Sequence, residues 1–154
     1  PATYGHVPED NRHIREFLKC FTYCFRRNGT EVKYLVVREM SSTGRPHYNA
    51  VFLTDASRRY SVHTFLKEAQ KRWSGKLGLS AVEPFLVHHC RRDAVYTLPD
   101  HPYFDPADGI LLQRDDPAFD RLRQEAFHWA SYLAKADSKF PCAPNHRLFF
   151  SSRC

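Results

Sequence analysis

Two runs, Val32-Lys33-Tyr34-Leu35-Val36-Val37-Arg38 and His47-Tyr48-Asn49-Ala50-Val51-Phe52-Leu53-Thr54, flank the cluster Ser41-Ser42-Thr43-Gly44. β-Branched and aromatic residues dominate both runs, as a pleated, half-buried surface favours. The Ser/Thr/Gly cluster between them predicts a turn. The two runs therefore read as neighbouring strands of a hairpin. Side chains alternate along a strand, so His47 and Asn49 share one face and Tyr48 takes the other. Glu39 ends the first strand, and a hairpin through Gly44 returns its carboxylate to the side of His47.

On the N-terminal side of the hairpin, Glu9-Asp10-Asn11 predicts a helix start with acids in the first turn. Ile14, Phe17, Leu18, Phe21 and Phe25 follow at helical spacing, and Asn28-Gly29 ends the helix. Beyond the hairpin, Ser61 can cap a helix with Val62, Phe65, Leu66, Ala69 and Trp73 on one face, closed near Gly75 to Gly78. Pro84 to Cys90 reads as a strand, and Thr97 to Gly109, with Pro99, Pro102 and Pro106, reads as a loop. Asp116-Pro117 is an N-cap followed by proline at the first helical position. The helix it opens buries Phe119, Leu122, Ala126, Trp129 and Leu133 and reaches about Ala136. Arg147 to Ser152 is a final strand. This order predicts an α+β class, a ferredoxin/RRM-like antiparallel sheet packed with helices. A ferredoxin-like core also needs a strand before the first helix.

Composition limits the function classes. The 154 residues are 42% hydrophobic and 26% charged, which excludes a disordered tail, a collagen-like chain and a coiled coil. No apolar run approaches the ~20 residues of a membrane span. The opening Pro1-Ala2-Thr3-Tyr4 carries neither an initiator Met nor a signal peptide, so residues 1–154 read as a single domain cut from a longer protein. Five cysteines without a CxxC pair read as buried free thiols of a reducing cytoplasm. His6, His13, His63 and His101 read as solvent-facing, and His88-His89 as a backbone contact to DNA or an extra ligand.

The net charge of +6 favours phosphate-bearing partners. Cations concentrate at Arg58, Arg59, Lys67, Lys71, Arg72 and Lys76, interrupted only by Glu68. Acids concentrate between Pro99 and Glu125, where a solvated helix face is the simplest reading. Tyr34, Tyr48 and Tyr60 supply rings on which bases can stack.

Two groups of residues carry chemistry. Glu39, His47 and Asn49 form a carboxylate–imidazole–amide set suited to a hard or borderline divalent ion, Mg2+ or Mn2+. Tyr132 and Lys135 lie three apart on the last long helix, with His128 on the same face. A tyrosine can act as nucleophile in phosphodiester transfer, and a nearby cation lowers its pKa and stabilises transition-state charge. His128 is a candidate proton acceptor or further ligand.

The run Arg38-Glu39 through Arg45-Pro46-His47-Tyr48-Asn49-Ala50-Val51-Phe52-Leu53 resembles the metal-site hairpin of HUH endonucleases. Ser131-Tyr132-Leu133-Ala134-Lys135, followed by Ala136-Asp137-Ser138-Lys139 and the Arg147 to Arg153 tail, resembles the filamentous-phage-type (inovirus) replication initiators of that superfamily. The resemblance spans Ile14 to Arg153. It implies a nickase for single-stranded DNA, a DNA hairpin or an origin, acting in the cytoplasm of a bacterial host during rolling-circle replication. Tyr132 would form a 5′-phosphotyrosyl link, Lys135 would orient reacting oxygens, and Glu39, His47 and Asn49 would hold the ion. Arg45, Arg58, Arg59, Lys71, Arg72 and Lys139 would contact DNA. Where the family pattern has a second histidine this chain has Asn49, which predicts weaker affinity for softer ions. Two other readings stay open: a DNA-binding domain in which Asn49 has abolished cleavage, and a metal-free interaction domain whose three side chains are only hydrogen-bonded. The oligomeric state is open.

Overall fold

In a computed structural model of the chain, the described residues are 10–40, 46–55, 62–80, 86–87, 109–133 and 148–152, the side chains of Met40, Val62 and Tyr132 excepted. They form α1 (Arg12–Arg27), β1 (Val32–Met40), β2 (Pro46–Thr54), α2 (Val62–Lys76), α3 (Phe119–Tyr132) and β3 (Phe149–Ser151). This is an α+β fold with a three-stranded antiparallel sheet, compatible with a ferredoxin-like arrangement. Backbone contacts group the chain into two compact units, residues 1–54 with 128–154, and residues 55–127. Each is described by itself.

In the first unit the sheet order is β2-β1-β3. The hairpin register pairs Val32 with Thr54 through Met40 with Pro46, and β3 pairs Phe150 with Val36 on the other side of β1. The β1 residues Val32, Tyr34, Val36 and Arg38 therefore face one way, with Phe52 of β2 and Phe150 of β3. Helix α1 covers this face, burying Ile14, Phe17, Leu18, Phe21 and Phe25, the five positions that the spacing predicts. Phe21 lies at the centre, its ring centroid 5.2 Å from Phe17, 5.0 Å from Phe25 and 5.2 Å from Phe52. Each such burial contributes roughly 1.5–3 kcal/mol relative to an exposed ring.

The two ends of α1 are built differently. At the C-terminus the Gly29 N–H donates to the Arg26 carbonyl (2.9 Å) and the Thr30 N–H to the Phe25 carbonyl (3.0 Å), with Gly29 at φ 75°. That closure, a Schellman motif, needs the left-handed conformation glycine adopts without a Cβ penalty. At the N-terminus the first turn holds no acid, contrary to expectation, and the Asn11 side chain does not cap. Asp10 instead accepts the Arg12 N–H at 3.0 Å, which holds its carboxyl below the ordinary value. The Asn11 side chain accepts a bond from the buried Arg38 guanidinium at 3.0 Å.

In the second unit α2 buries Ala69 and Ser74 and closes with the same geometry, the Gly78 N–H donating to Gly75 and the Leu79 N–H to Ser74. Asp116 accepts the Ala118 N–H at 2.7 Å in the turn that leads into α3, which begins at Phe119, two residues later than the Asp-Pro signal predicts.

Several expectations are corrected. Helix α3 ends at Tyr132 instead of near Ala136, its end tightening as the Leu133 N–H reaches Ala130 at 3.1 Å. Along it Leu122 and Leu133 are buried, but Trp129 is 38% exposed and Phe127 76%. Leu86 sits in a tight helical turn and Val87 at a bend, so neither lies in the strand expected from Pro84 to Cys90; the rest of that stretch is outside the described residues. His13 is half-buried, not solvent-facing, and His63 is exposed as expected. Cys20 and Cys24 are half-buried, and neither forms a disulfide. The turn 41–44, the loop from Thr97 as far as Asp108, Tyr60, His6, His88, His89 and His101, and Cys90, Cys142 and Cys154 lie outside the described residues, as does any strand before Asp10.

Candidate functional site

The site stands on the sheet face away from α1. In the hairpin register Glu39 is directly opposite His47, and Val37 is opposite Asn49. Directly opposed residues of antiparallel strands have Cβ atoms about 4.5–5.5 Å apart on one face, so the three side chains converge. Glu39 Oε2 lies 2.9 Å from His47 Nε2 and accepts Asn49 Nδ2 at 2.9 Å. The Glu39 side chain is only 9% exposed while that of His47 is 50% exposed. One buried carboxylate thus gathers an imidazole and an amide at a point that opens to solvent through the imidazole. A buried carboxylate needs such donors to offset its lost hydration.

Among the described residues no three His, Cys, Asp or Glu side chains form a metal-binding group, so the third donor of any ion here is the amide. The terminal amide torsion is broad and two-fold, and turning it presents Oδ1 in place of Nδ2. Glu39, His47 and Asn49 are then two oxygen donors and one nitrogen, a set suited to a hard or borderline divalent ion.

The other candidates are placed less completely. Tyr132 is the last residue of α3, and Lys135, Lys139, Arg45, Arg58 and Arg59 lie outside the described residues. His128 is exposed on α3. Lys71 is exposed on α2, and Arg72 is tied to Glu68 at 3.1 Å. Tyr34 and Tyr48 are half-buried, and Tyr34 packs at 6.5 Å from Phe52 on the α1 face.

Two basic features have no role assigned by motif or charge run, although Arg38 opens the hairpin run quoted above. Arg38, 4% exposed, is fixed on the α1 face one residue before Glu39. Helix α1 also carries Arg12, Arg15, Lys19 and Arg26 at spacings that place them along one stripe. Helical spacing applied to cations instead of apolar residues is the signal that finds the stripe.

A carboxylate, an imidazole and an amide brought together on one antiparallel hairpin offer the donor types that hard cations and polar ligands take. A family model described as replication-associated protein ORF2 matches residues 2–97, more than half of the 154. The chain belongs to this family of replication-associated proteins. The matched region contains Glu39, His47 and Asn49 and stops before Tyr132. No curated protein and no solved structure matches the chain. No helix among the described residues is long and apolar enough to cross a membrane.

Proposed function

We propose that this chain nicks and rejoins single-stranded DNA at a replication origin or hairpin, as an HUH endonuclease of the filamentous-phage (inovirus) type. The observation that carries the reading is the convergence of His47 and Asn49 on Glu39 Oε2 at 2.9 Å in a chain of a replication-associated family. The donor set fits Mg2+ or Mn2+, with Glu39, His47 and Asn49 as ligands. Such an ion supplies Lewis-acid polarisation of a phosphate oxygen.

In this reading Tyr132 is the nucleophile. Its Oη–P bond forms as the P–O3′ bond breaks; the phenol loses its proton and the departing 3′ oxygen gains one. Attack by a 3′-hydroxyl reverses the step and reseals the strand with no external energy source. Lys135 stabilises charge on the phosphoryl oxygens, and Arg45, Arg58, Arg59, Lys71, Arg72 and Lys139 hold the backbone. His128 is the candidate proton acceptor.

One observation favours a second reading. Asn49 Nδ2 donates to Glu39, so the carboxylate is satisfied without an ion, as in a domain that binds single-stranded DNA and no longer cuts it. Incubation with single-stranded oligonucleotides and Mn2+, resolved on denaturing gels, decides between them. A covalent adduct formed by the unaltered chain and lost in Tyr132→Phe supports the nickase. An adduct formed only by Asn49→His, or oligonucleotide bound with no adduct from any variant, supports the binding domain.

A further inference from the structure

Helix α1 has two opposite faces. At 3.6 residues per turn, Ile14, Phe17, Leu18, Phe21 and Phe25 centre on one side of it. Arg12, Arg15, Lys19 and Arg26 fall within an arc of about 60° on the other side, with Tyr23 beside them. Accessibility agrees with this projection. The five apolar residues are buried against the sheet and Tyr23 is 58% exposed, and all four cations are exposed. Arg27 adds a further exposed cation, and Glu16 is the helix's single acid. Of the acids flanking the helix, Asp10 accepts the Arg12 backbone N–H, and Glu31 pairs with Lys33 at 2.8 Å. At 1.5 Å per residue the row from Arg12 to Arg26 runs about 21 Å.

That charge selects a polyanion, and the packing of the helix narrows its kind. A helix that binds a bilayer buries its apolar face in the lipid, but the apolar face of α1 already forms the core with the sheet. A single strand is held in a cationic groove with rings on which successive bases stack. This face is instead the convex side of a helix, with one exposed ring, Tyr23. Phosphates whose bases are turned inward, as in a duplex, ask only for cations and hydroxyl donors. The row also lies on the opposite side of the sheet from Glu39, His47 and Asn49, because α1 packs on the face of Arg38 and Phe52. DNA held on one side leaves the other open.

We propose that the outer face of α1 is a second DNA site, which binds the phosphate backbone of a duplex without regard to its sequence. Arg12, Arg15, Lys19 and Arg26 hold the phosphates, and the Tyr23 hydroxyl donates to them. The Glu39–His47–Asn49 side of the sheet then takes the adjoining single strand, so the chain grips both sides of the junction where an origin or hairpin opens. The proposal rests on the single-stranded DNA reading above and is independent of whether the strand is cut.

The test is fluorescence anisotropy of the full chain with a labelled duplex, and separately with one of its strands, across a series of salt concentrations without divalent ions. The unaltered chain should bind the duplex. Arg15→Gln with Lys19→Gln should lower the slope of log K against log salt by about 1.8, two duplex phosphate contacts, and weaken binding roughly 10- to 100-fold at 0.1 M salt. Arg15→Lys with Lys19→Arg keeps both charges and should restore slope and affinity, which a loss of packing would not do. With the single strand, the Gln pair should change the slope by well under the 1.4 that two single-strand contacts carry. A single strand bound with no duplex binding overturns the proposal and leaves the single-strand reading standing. So does duplex binding whose slope the Gln pair leaves unchanged. A full loss of slope with the single strand makes the face a single-strand site and overturns the duplex assignment. Binding to phosphatidylserine vesicles with none to duplex gives the face to a membrane surface and also overturns it. If the unaltered chain binds neither duplex nor single strand even at low salt, both readings fall.

Discussion

Arg38 and Glu39 are consecutive residues of one strand, both buried, and they face opposite sides of the sheet. Arg38 meets the N-terminus of α1 and has one neutral acceptor, Asn11 Oδ1 at 3.0 Å, and its Nε has no partner among the described residues. Glu39 has two donors on one oxygen and a half-exposed histidine between it and solvent. Burying a charge is costly on either face. On the α1 side the charge is tied to Asn11, the N-cap residue of the helix; on the other it lies in a convergent polar set with access to solvent. Two adjacent residues thus bury charge in two settings, one against a helix end and one in a polar cluster that reaches solvent.

If the two faces are independent, striking one should leave the other's readout alone. Phe21→Ala, on the α1 face, should destabilise the chain by about 3–5 kcal/mol, read in denaturant unfolding. It should leave any response to Mn2+ unchanged wherever the protein remains folded. On the other face, Mn2+ at about a hundredfold over its Kd should stabilise the unaltered chain by about 2.7 kcal/mol, and Glu39→Ala should abolish that increment. A Mn2+ response that survives Glu39→Ala would remove the distinction between the faces.

Finer tests address each face by itself. Asn11→Ala should cost about 1–3 kcal/mol, because it leaves the Arg38 guanidinium buried without an acceptor. Adding Arg38→Met should recover most of that loss, because a buried charge left unpaired is worse than an apolar side chain in its place. Additive losses in this cycle would show the two residues to be uncoupled. Gly29→Ala should cost about 1–2 kcal/mol, from the left-handed backbone at φ 75°, with no effect on the cluster. The smallest effect is at Asp10, whose carboxyl the Arg12 N–H holds below its ordinary value. A depressed folded pKa contributes stability that is present above the unfolded value and lost as pH falls through the folded one. Asp10→Asn should therefore make the chain slightly less stable near neutrality, match it in acid, and so flatten the fall in stability with acidification, read as unfolding across pH.

The hairpin and its cluster are legible in the sequence because both depend on short-range rules. Alternation puts His47 and Asn49 on one face whatever else the strand touches, and a turn between two strands returns Glu39 to His47. The five buried residues of α1 and the Gly29 closure are equally local. Trp129 and the stretch around Leu86 depart from their expected roles for the opposite reason. Apolar spacing states which residues can be buried, and the neighbours available decide which are.

The α+β class, the core face of α1, the hairpin and the convergence of Glu39 with His47 and Asn49 all follow from the chain alone, because periods of 3.6 and 2 residues are properties of the backbone. Two features had to wait for the folded molecule: β3 returns to the free edge of β1, and Asn11 gives its side chain to Arg38 instead of to its helix. Those contacts join residues 27 or more positions apart, where no local rule acts and the packing of α1 on the sheet selects the partner.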